Sequence, residues 1–343
     1  MRPSFFHHLH PPTIPVKQAR FRYTLAAGGL AAFLVFVLFV TGLLELFYYI
    51  PTPDQAADSI QTITFLVPYG SLVRNLHYWA AQFLVVVAGI HLIRVVMTGA
   101  YSPPRRLNYL LGMGLFVSTL LLDFTGYVLR WDEGIRWALV AGTNLVKSIP
   151  LAGQQIYRML VGGLEPGPAT LIRFYGWHIF GLMIIVAGLL TWHIFRVRRD
   201  GGIALPPPRL RETLERIPRT ELVRREVAAM LLASVALLLL SLFAPAPIAP
   251  PMTSAPSALA VSRAPWFFLW VQQMLKLGSP FLWGVVVPLA VLLALTLIPY
   301  VFPRTSPREL GRWFPRSGRP AQFFFILILV SILTLTVLAL LPG

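Results

Sequence analysis

Read for its apolar and polar positions, the chain resolves into seven long apolar runs separated by Pro-rich, Arg-rich or mixed connections. The runs lie near Tyr23–Ile50, His77–Thr98, Leu107–Leu129, Leu171–Phe195, Val227–Phe243, Phe281–Phe302 and Phe323–Leu341. A hydrocarbon core takes about 20 helical residues to cross, so the pattern predicts seven transmembrane helices. The first run is too long for a signal peptide and leads into Tyr48-Tyr49-Ile50-Pro51, not into small cleavage-site residues; it is expected to stay in the mature protein. Residues 131–170 carry Ile135, Leu139, Val140, Leu145 and Ile149, then Ile156, Met159 and Leu160, at helix-like spacing. That spacing predicts short amphipathic helices at the membrane surface. Pro245–Pro265 reads as an irregular connection into a second interfacial stretch, Trp266–Leu277.

Composition supports the same class. The chain is 56% hydrophobic and 12% charged, where a soluble domain carries about a quarter charged residues. Its net charge of +16 would suggest nucleic acid in a soluble protein, but the cations sit between the spans, and no nucleic-acid role is expected. Of the 29 Lys and Arg, 20 fall on the side of the N-terminal tail and eight on the other. The positive-inside rule then makes the N-terminus cytoplasmic and the C-terminus external. The twenty-ninth, Arg94, lies inside a span. Composition shifts most at Asp200–Thr220. The expected organisation is a cytoplasmic tail (1–22), a four-span unit (23–199), a basic cytoplasmic linker (200–226) and a three-span unit (227–343). With no cysteine, disulfides, iron–sulfur ligation by this chain and thioether attachment of a haem are excluded.

Four of the seven histidines lie within spans: His77 and His91, then His178 and His193. Steps of 14 and 15 residues advance a helix by about 1400° and 1500°, within ~60° of whole turns, over roughly 21–22 Å. Each span therefore shows two histidines on one face. Both spans run from outside to inside, so His77 and His178 share the outer level and His91 and His193 the inner one. Two facing imidazole pairs at two depths can clamp two flat macrocycles, and bis-His haem is the natural occupant. Zinc would want four ligands at one point. Gly28 and Gly42, and Gly112 and Gly126, repeat the 14-residue step in the first and third spans. They are expected to remove side chains that would strike the ring. Arg74, three residues before His77, and Arg94, three after His91, are placed to pair with haem propionates.

These residues resemble the cytochrome b family of quinol-oxidising cytochrome bc complexes. The resemblance is carried by Arg74-Asn75-Leu76-His77-Tyr78-Trp79, His91-Leu92-Ile93-Arg94, Thr98-Gly99-Ala100-Tyr101, Thr125-Gly126-Tyr127-Val128-Leu129, Thr143-Asn144 with Ile149-Pro150, and Arg173-Phe174-Tyr175 before His178. It is specific over residues 20–200 and weaker after Asp200. The seven spans and the 15-residue His178–His193 step look like the short photosynthetic cytochrome b fused to its three-span partner. The fold so implied is an all-α membrane protein, a four-helix di-haem bundle plus a three-helix C-terminal part, multi-pass in a bacterial-type inner membrane. The resemblance further implies haem bL on His77 and His178, haem bH on His91 and His193, and a homodimer. It implies a Rieske iron–sulfur partner, a c-type cytochrome or equivalent acceptor, and the quinone pool. Quinol would be oxidised outside, one electron passing to the Rieske protein and the other through the haems to an inner quinone, with proton translocation.

Several positions depart from the family pattern. Its Pro-Glu-Trp-Tyr motif reads Ala264-Pro265-Trp266-Phe267, without the Glu and Tyr, though Pro265 and Trp266 mark the quinol site. Its Tyr-Val-Leu-Pro-Trp turn reads Tyr127-Val128-Leu129-Arg130-Trp131, followed by Asp132 and Glu133. Glu45 and Asp123 add two acids near outer span ends, costly unless paired or protonated. Asp123, Asp132 or Glu133 could replace the missing Glu as proton acceptor; equally, an Arg130 ion pair could simply fix the loop. At the inner side Arg196 and Asp200 follow His193 and could face quinone, although a basic loop end accounts for them better. Photosynthetic relatives attach a third haem through a Cys where Ala26 stands here, so no covalent haem is expected. The alternatives are a b-haem anchor between quinone and a peripheral redox partner without a Rieske protein, and a seven-span transporter using the histidines as a proton or metal path.

Overall fold

The computed structural model describes residues 11–204, 215–252 and 263–341. The three tail histidines, Arg209, Arg211 and residues 253–262 of the Pro-rich connection lie outside them. In chain order the helices longer than four residues are α1 (Ala27–Leu46), α2 (Ala56–Phe65), α3 (Gly70–Met97), α4 (Arg106–Leu129), α5 (Arg136–Lys147), α6 (Gly153–Val161), α7 (Pro168–Arg199), α8 (Arg219–Phe243), α9 (Leu269–Met274), α10 (Leu282–Val301) and α11 (Arg319–Leu340). Seven of them, α1, α3, α4, α7, α8, α10 and α11, are long and apolar enough to cross a membrane. Hydrocarbon offers no partner to backbone N–H or C=O groups, so apolar runs of this length satisfy themselves as helices. Side chains such as Phe39 (54% exposed) and Leu232 (73%) point away from the protein, as lipid-facing residues do.

The amphipathic pattern of residues 131–170 becomes α5 and α6, and the interfacial stretch becomes a 3-10 turn at Trp266–Phe268 followed by α9. Two elements had no clear sequence signal. One is α2; the other is a two-stranded antiparallel ladder pairing β1 (Thr13–Pro15) with β2 (Arg216–Pro218), which ties the N-terminal segment to the start of α8.

α1 packs along α3 and α4 along α7, and the two pairs form a four-helix bundle. The three-span part is fastened to it at both ends. At the end bearing His77, Asn75 donates to Ser241 O (2.8 Å) and accepts from Ala246 N (2.9 Å), and Trp79 Nε1 donates to Ala244 O (2.7 Å). Nearby, Glu133 N bonds Pro250 O and Met252 N bonds Trp131 O. At the other, Arg-rich end, Gly311 N and Phe314 N donate to the carbonyls of Thr98 and Met97. Gly99, at φ +66°, leaves room for the Thr305 side chain, which a Cβ there would strike. Between these fastenings Val96, Met97, Tyr101, Tyr109 and Met113 share a core with Leu295, Ile298, Ala321 and Phe325. Much of the motif that carries the family resemblance is therefore a joint between the two parts.

One irregularity sets the register of the site. An uninterrupted helix turns about 100° per residue, so a 15-residue step would leave His193 roughly 100° further round than a 14-residue step does. In α7 the turn Trp177–Gly181 is π-helical, which absorbs one extra residue. The fifteen-residue step thus presents its two histidines as the fourteen-residue step of α3 does.

Candidate functional site

The bundle brings the four histidines together as two pairs. The ring centres of His77 and His178 are 6.3 Å apart with planes at 65°, and those of His91 and His193 are 6.4 Å apart at 78°. A ligating imidazole nitrogen lies roughly 2.0 Å from a first-row metal and about 1.1 Å from its own ring centre, so two rings on opposite sides of one iron place their centres on the order of 6.2 Å apart. Both pairs fit. Among the described residues no three His, Asp or Glu side chains converge on a metal-sized point, so the donor set suits axial ligation of a macrocyclic iron and not a tetrahedral ion.

The backbone prepares each imidazole. His178 Nδ1 lies 3.1 Å from Leu122 O and His193 Nδ1 3.1 Å from Asn108 O. A carbonyl only accepts, so Nδ1 carries the proton and Nε2 keeps its lone pair for a metal. His77 Nδ1 meets Thr41 Oγ1 at 2.9 Å. That hydroxyl already donates to Val37 O, so it accepts from the ring. Thr125 stands to His178 as Thr41 does to His77, at 3.1 Å, with its own proton on Leu121 O. His91 Nδ1 is buried without a hydrogen-bond partner among the described residues.

The four glycines pack on these rings. A Cβ on Gly42 would stand 3.1 Å from His77 Cε1, on Gly28 3.3 Å from His91 Cε1, on Gly126 2.7 Å from His178 Cε1, and on Gly112 3.4 Å from His193 Cε1. Each of the four glycines thus stands against an imidazole ring. α1 and α4 can lie this close to α3 and α7 because a ring fills the space of the absent side chain. The shared Thr-Gly pairs, Thr41-Gly42 and Thr125-Gly126, were a readable signal that spacing arguments alone passed over.

A cavity of about 820 Å³ opens around the His91–His193 pair, lined also by Gly28, Gly112, Arg94 and Arg105. Arg94 places its guanidinium 4.7 Å from the Tyr23 ring centre and donates to Tyr23 O (3.4 Å). Its Nη2, like Arg105 Nε, is buried with no partner among the described residues. Unmet cationic donors at a cavity wall suit carboxylates. Arg74 behaves differently. Its Nη1 and Nη2 donate to Ala246 O (3.2 Å) and Pro247 O (2.6 Å), spending these donors on the joint with the three-span part instead of leaving them for a propionate.

At the His77 end, the three candidate acids separate. Asp132 accepts Arg130 Nη2 (2.6 Å) and Nε (3.0 Å) and Ala249 N (3.2 Å); Glu133 forms a two-point pair with Arg136 (2.7 and 2.8 Å). Both serve the loop. Asp123, in α4, instead accepts from Gln82 Nε2 (3.3 Å), and Gln82 Oε1 accepts from Trp266 Nε1 (2.7 Å). The indole of the Pro265-Trp266 turn is thus linked through one amide to a carboxylate one turn from Gly126. Phe267 is buried and Phe268 meets Phe124 at 6.0 Å, giving this corner an aromatic wall. Tyr127 donates to Gly134 O (3.1 Å) and lies under Arg130. Glu45 Oε1 is buried with no hydrogen bond among the described residues. Asp200 is held by Arg196 (3.1 Å) and Arg199 (3.3 Å), and the acid that does line the cavity at the other end is Glu226, which the sequence did not single out.

Residues 82–256 match the family model for cytochrome b(N-terminal)/b6/petB. Cytochrome b6 of Heliobacterium mobile is 37% identical over 187 residues, 54% of this chain and 88% of that protein. The menaquinol:cytochrome c reductase cytochrome b subunit of Geobacillus thermodenitrificans is 34% identical over 175 residues, 51% of this chain and 78% of the relative. Among solved structures, a chain of a hyperthermophilic respiratory Complex III aligns with a TM-score of 0.79 at 23% identity, covering 94% of this chain and 85% of that one; at that identity the likeness speaks for the fold. By sequence over half its length and by fold over nearly all of it, this chain belongs to the cytochrome b(N-terminal)/b6 family.

Proposed function

We propose that the protein is the di-haem cytochrome b subunit of a quinol-oxidising bc-type complex. The carrying observation is the pair of imidazole separations, 6.3 and 6.4 Å, each matched to one iron. When bound, two b-type haems would supply one-electron transfer between an outer quinol and an inner quinone, the membrane-crossing limb of a proton-translocating Q cycle. His77 and His178 would hold bL, and His91 and His193 bH, with Thr41, Thr125 and the carbonyls of Leu122 and Asn108 fixing the ring tautomers. Arg94 and Arg105 would receive propionates at the inner level. The four-span unit (23–199) carries the ligands, and the three-span unit (227–343) supplies the Pro265-Trp266 wall. The basic segments 1–22 and 200–226 face the cytoplasm. A Rieske protein, a c-type acceptor and a second copy of the chain complete the assembly in this reading.

In this reading Asp123 accepts a quinol proton. A permanently ionised carboxylate is costly within a span, and one held only by a neutral amide is free to take up and release a proton. Asp123→Asn should slow quinol oxidation, while Asp132→Asn and Glu133→Gln should act through loop stability. Equal rates and pH profiles in all three would remove Asp123 from the mechanism.

The test of the whole reading is a potentiometric titration of the b-haem absorbance. Two waves of similar amplitude are expected, and one wave or none would refute it. The absent motif Glu favours a second reading, a b-haem anchor serving another redox partner without a Rieske protein. Copurification of a protein with the Rieske electron-spin signature decides between them.

A further inference from the structure

The outer end of α1 faces lipid through Leu43, Leu44, Leu46 and Phe47, all exposed. Glu45, set among them, turns the other way, and its Oε1 is buried. Residues four apart share a helix face, so Glu45 stands on the inward face of Thr41, whose hydroxyl meets His77 Nδ1 (2.9 Å). It lies three residues, roughly 4.5 Å of helical rise, beyond Gly42, which packs on the His77 ring. Just past it, Tyr49 donates to Leu129 O (2.8 Å) and stacks on Tyr175. Thr41 and Tyr49 are both satisfied, whereas the Glu45 side chain between them has no hydrogen bond among the described residues.

The two histidine levels differ in what they leave unmet. At the inner level the buried donors without partners are cationic, Arg94 Nη2 and Arg105 Nε. At the outer level the corresponding cation, Arg74, gives Nη1 and Nη2 to Ala246 O and Pro247 O, and the unmet buried oxygen is that of Glu45. Arg74 acts on Glu45 electrostatically, yet no ion pair joins the two among the described residues. An ionised carboxyl buried without a donor is costly, and a protonated one needs an acceptor for its O–H. A second carboxylate supplies that acceptor, and a haem brings two.

We infer that Glu45 is the proton-binding partner of the outer haem, donating to a propionate when protonated and taking up that proton as the iron between His77 and His178 gains an electron. This rests on the proposed reading of the chain as a di-haem cytochrome b. The balance is one electron and one proton. The electron comes from quinol and converts ferric to ferrous iron, and the Glu45 carboxylate binds a proton from the outer aqueous side. When the electron moves on to the inner level, the carboxyl returns its proton. Electron and proton strengthen each other's binding by the same factor. α1 packs on α3 and α8. From α3, Arg74 faces Glu45 and itself feels Tyr78, Arg130 and Asp132; Tyr49 and Tyr175 add two hydroxyls, and the apolar run Val227–Phe243 of α8 has no ionisable side chain.

The experiment repeats the potentiometric titration of b-haem absorbance in the purified complex from acid to alkaline pH, for the native chain, Glu45→Gln and Glu45→Asp. A reduced-minus-oxidised infrared spectrum accompanies each. A tenfold fall in proton concentration moves a one-electron, one-proton couple by about 59 mV, so the native outer wave should fall by up to about that much per pH unit where Glu45 titrates. The outer wave is the one that Thr41→Val moves. Glu45→Gln should flatten it, leave the other wave and the haem content as they were, and erase a carboxyl band of the native spectrum. Glu45→Asp should keep a slope displaced in pH, and shift the band. A native outer wave that does not move with pH, or a slope that Glu45→Gln retains, overturns the assignment and leaves the cytochrome b reading standing. A native complex with one wave or none refutes that reading, and this inference with it. Should Glu45→Gln fail to accumulate, a native spectrum without a carboxyl band, or a band that Glu45→Asp leaves in place, overturns the assignment instead.

Discussion

The contact between glycine and imidazole makes a graded prediction. Replacing each glycine by alanine adds one methyl group against one ring, and the four starting distances differ: 2.7 Å at Gly126, 3.1 Å at Gly42, 3.3 Å at Gly28 and 3.4 Å at Gly112. Carbon atoms settle at about 3.5–4.0 Å. Gly126→Ala is therefore short by roughly 0.8 Å, a large fraction of an iron–nitrogen bond, whereas Gly112→Ala falls short by roughly 0.1 Å. Two terms compete. Alanine gains about 1 kcal/mol of helix propensity over glycine, and overpacking costs about 1–3 kcal/mol. At Gly112 the gain roughly offsets the cost. At Gly126 the clash wins, and since α4 is fixed by α7 along its length, the ring of His178 yields. Gly126→Ala should then lose or convert one haem while Gly112→Ala keeps both, with Gly42→Ala and Gly28→Ala between. Pyridine haemochrome content per chain and the low-spin electron-spin signals of the purified variants measure this. A Gly126→Ala protein with two unaltered low-spin centres, or a loss order unrelated to the four distances, would refute the reasoning.

Removing the hydroxyl acceptors with Thr41→Val and Thr125→Val should shift or weaken only the haem at the His77 level, since partners of ligand histidines are worth about 10–100-fold in affinity; potentiometry that moves both waves equally would count against it. Asp132→Asn breaks a buried pair with Arg130 whose side chains are 5% and 12% exposed, and should cost about 3 kcal/mol, read as a lower melting temperature in detergent with haem content retained. Glu309 is held below the ordinary carboxylate range by Ser317, whose hydroxyl and N–H both donate to it (2.6 and 2.8 Å). A lowered pKa means its stabilisation of the 304–318 connection is present above the unfolded value and lost as pH falls through the folded one. Hydrogen exchange of the Ser317 amide, which donates to Glu309, should accelerate under acid in the native chain beyond its intrinsic trend, and Glu309→Gln should abolish that excess.

Periodicity and composition were enough to set the spans, the class and the depth of the four histidines. Seven apolar runs have one solution in hydrocarbon, and four histidines at steps of 14 and 15 fall at two levels whatever the neighbours do. The sequence also carried the family, through residues such as Asn75, Trp79, Thr98 and Gly99, although their structural work is to fasten the three-span part and not to touch the site. The sequence left Asp123, Asp132 and Glu133 equivalent, because ion pairing depends on which cations other elements deliver. Arg130 and Arg136 claim two of them, and only the packing of the Trp266 turn against Gln82 shows what Asp123 meets. The same holds for Arg74, whose reach toward Ala246 and Pro247 crosses some 170 residues of chain, and for Glu226, one acid among several on a basic helix start until α1 and α7 close around it. The π turn at Trp177–Gly181 reconciles the unequal histidine steps. Local helical periodicity is fixed by short-range sterics and is legible in order; which polar groups share a cavity is fixed by long-range packing, and tertiary structure alone decides it.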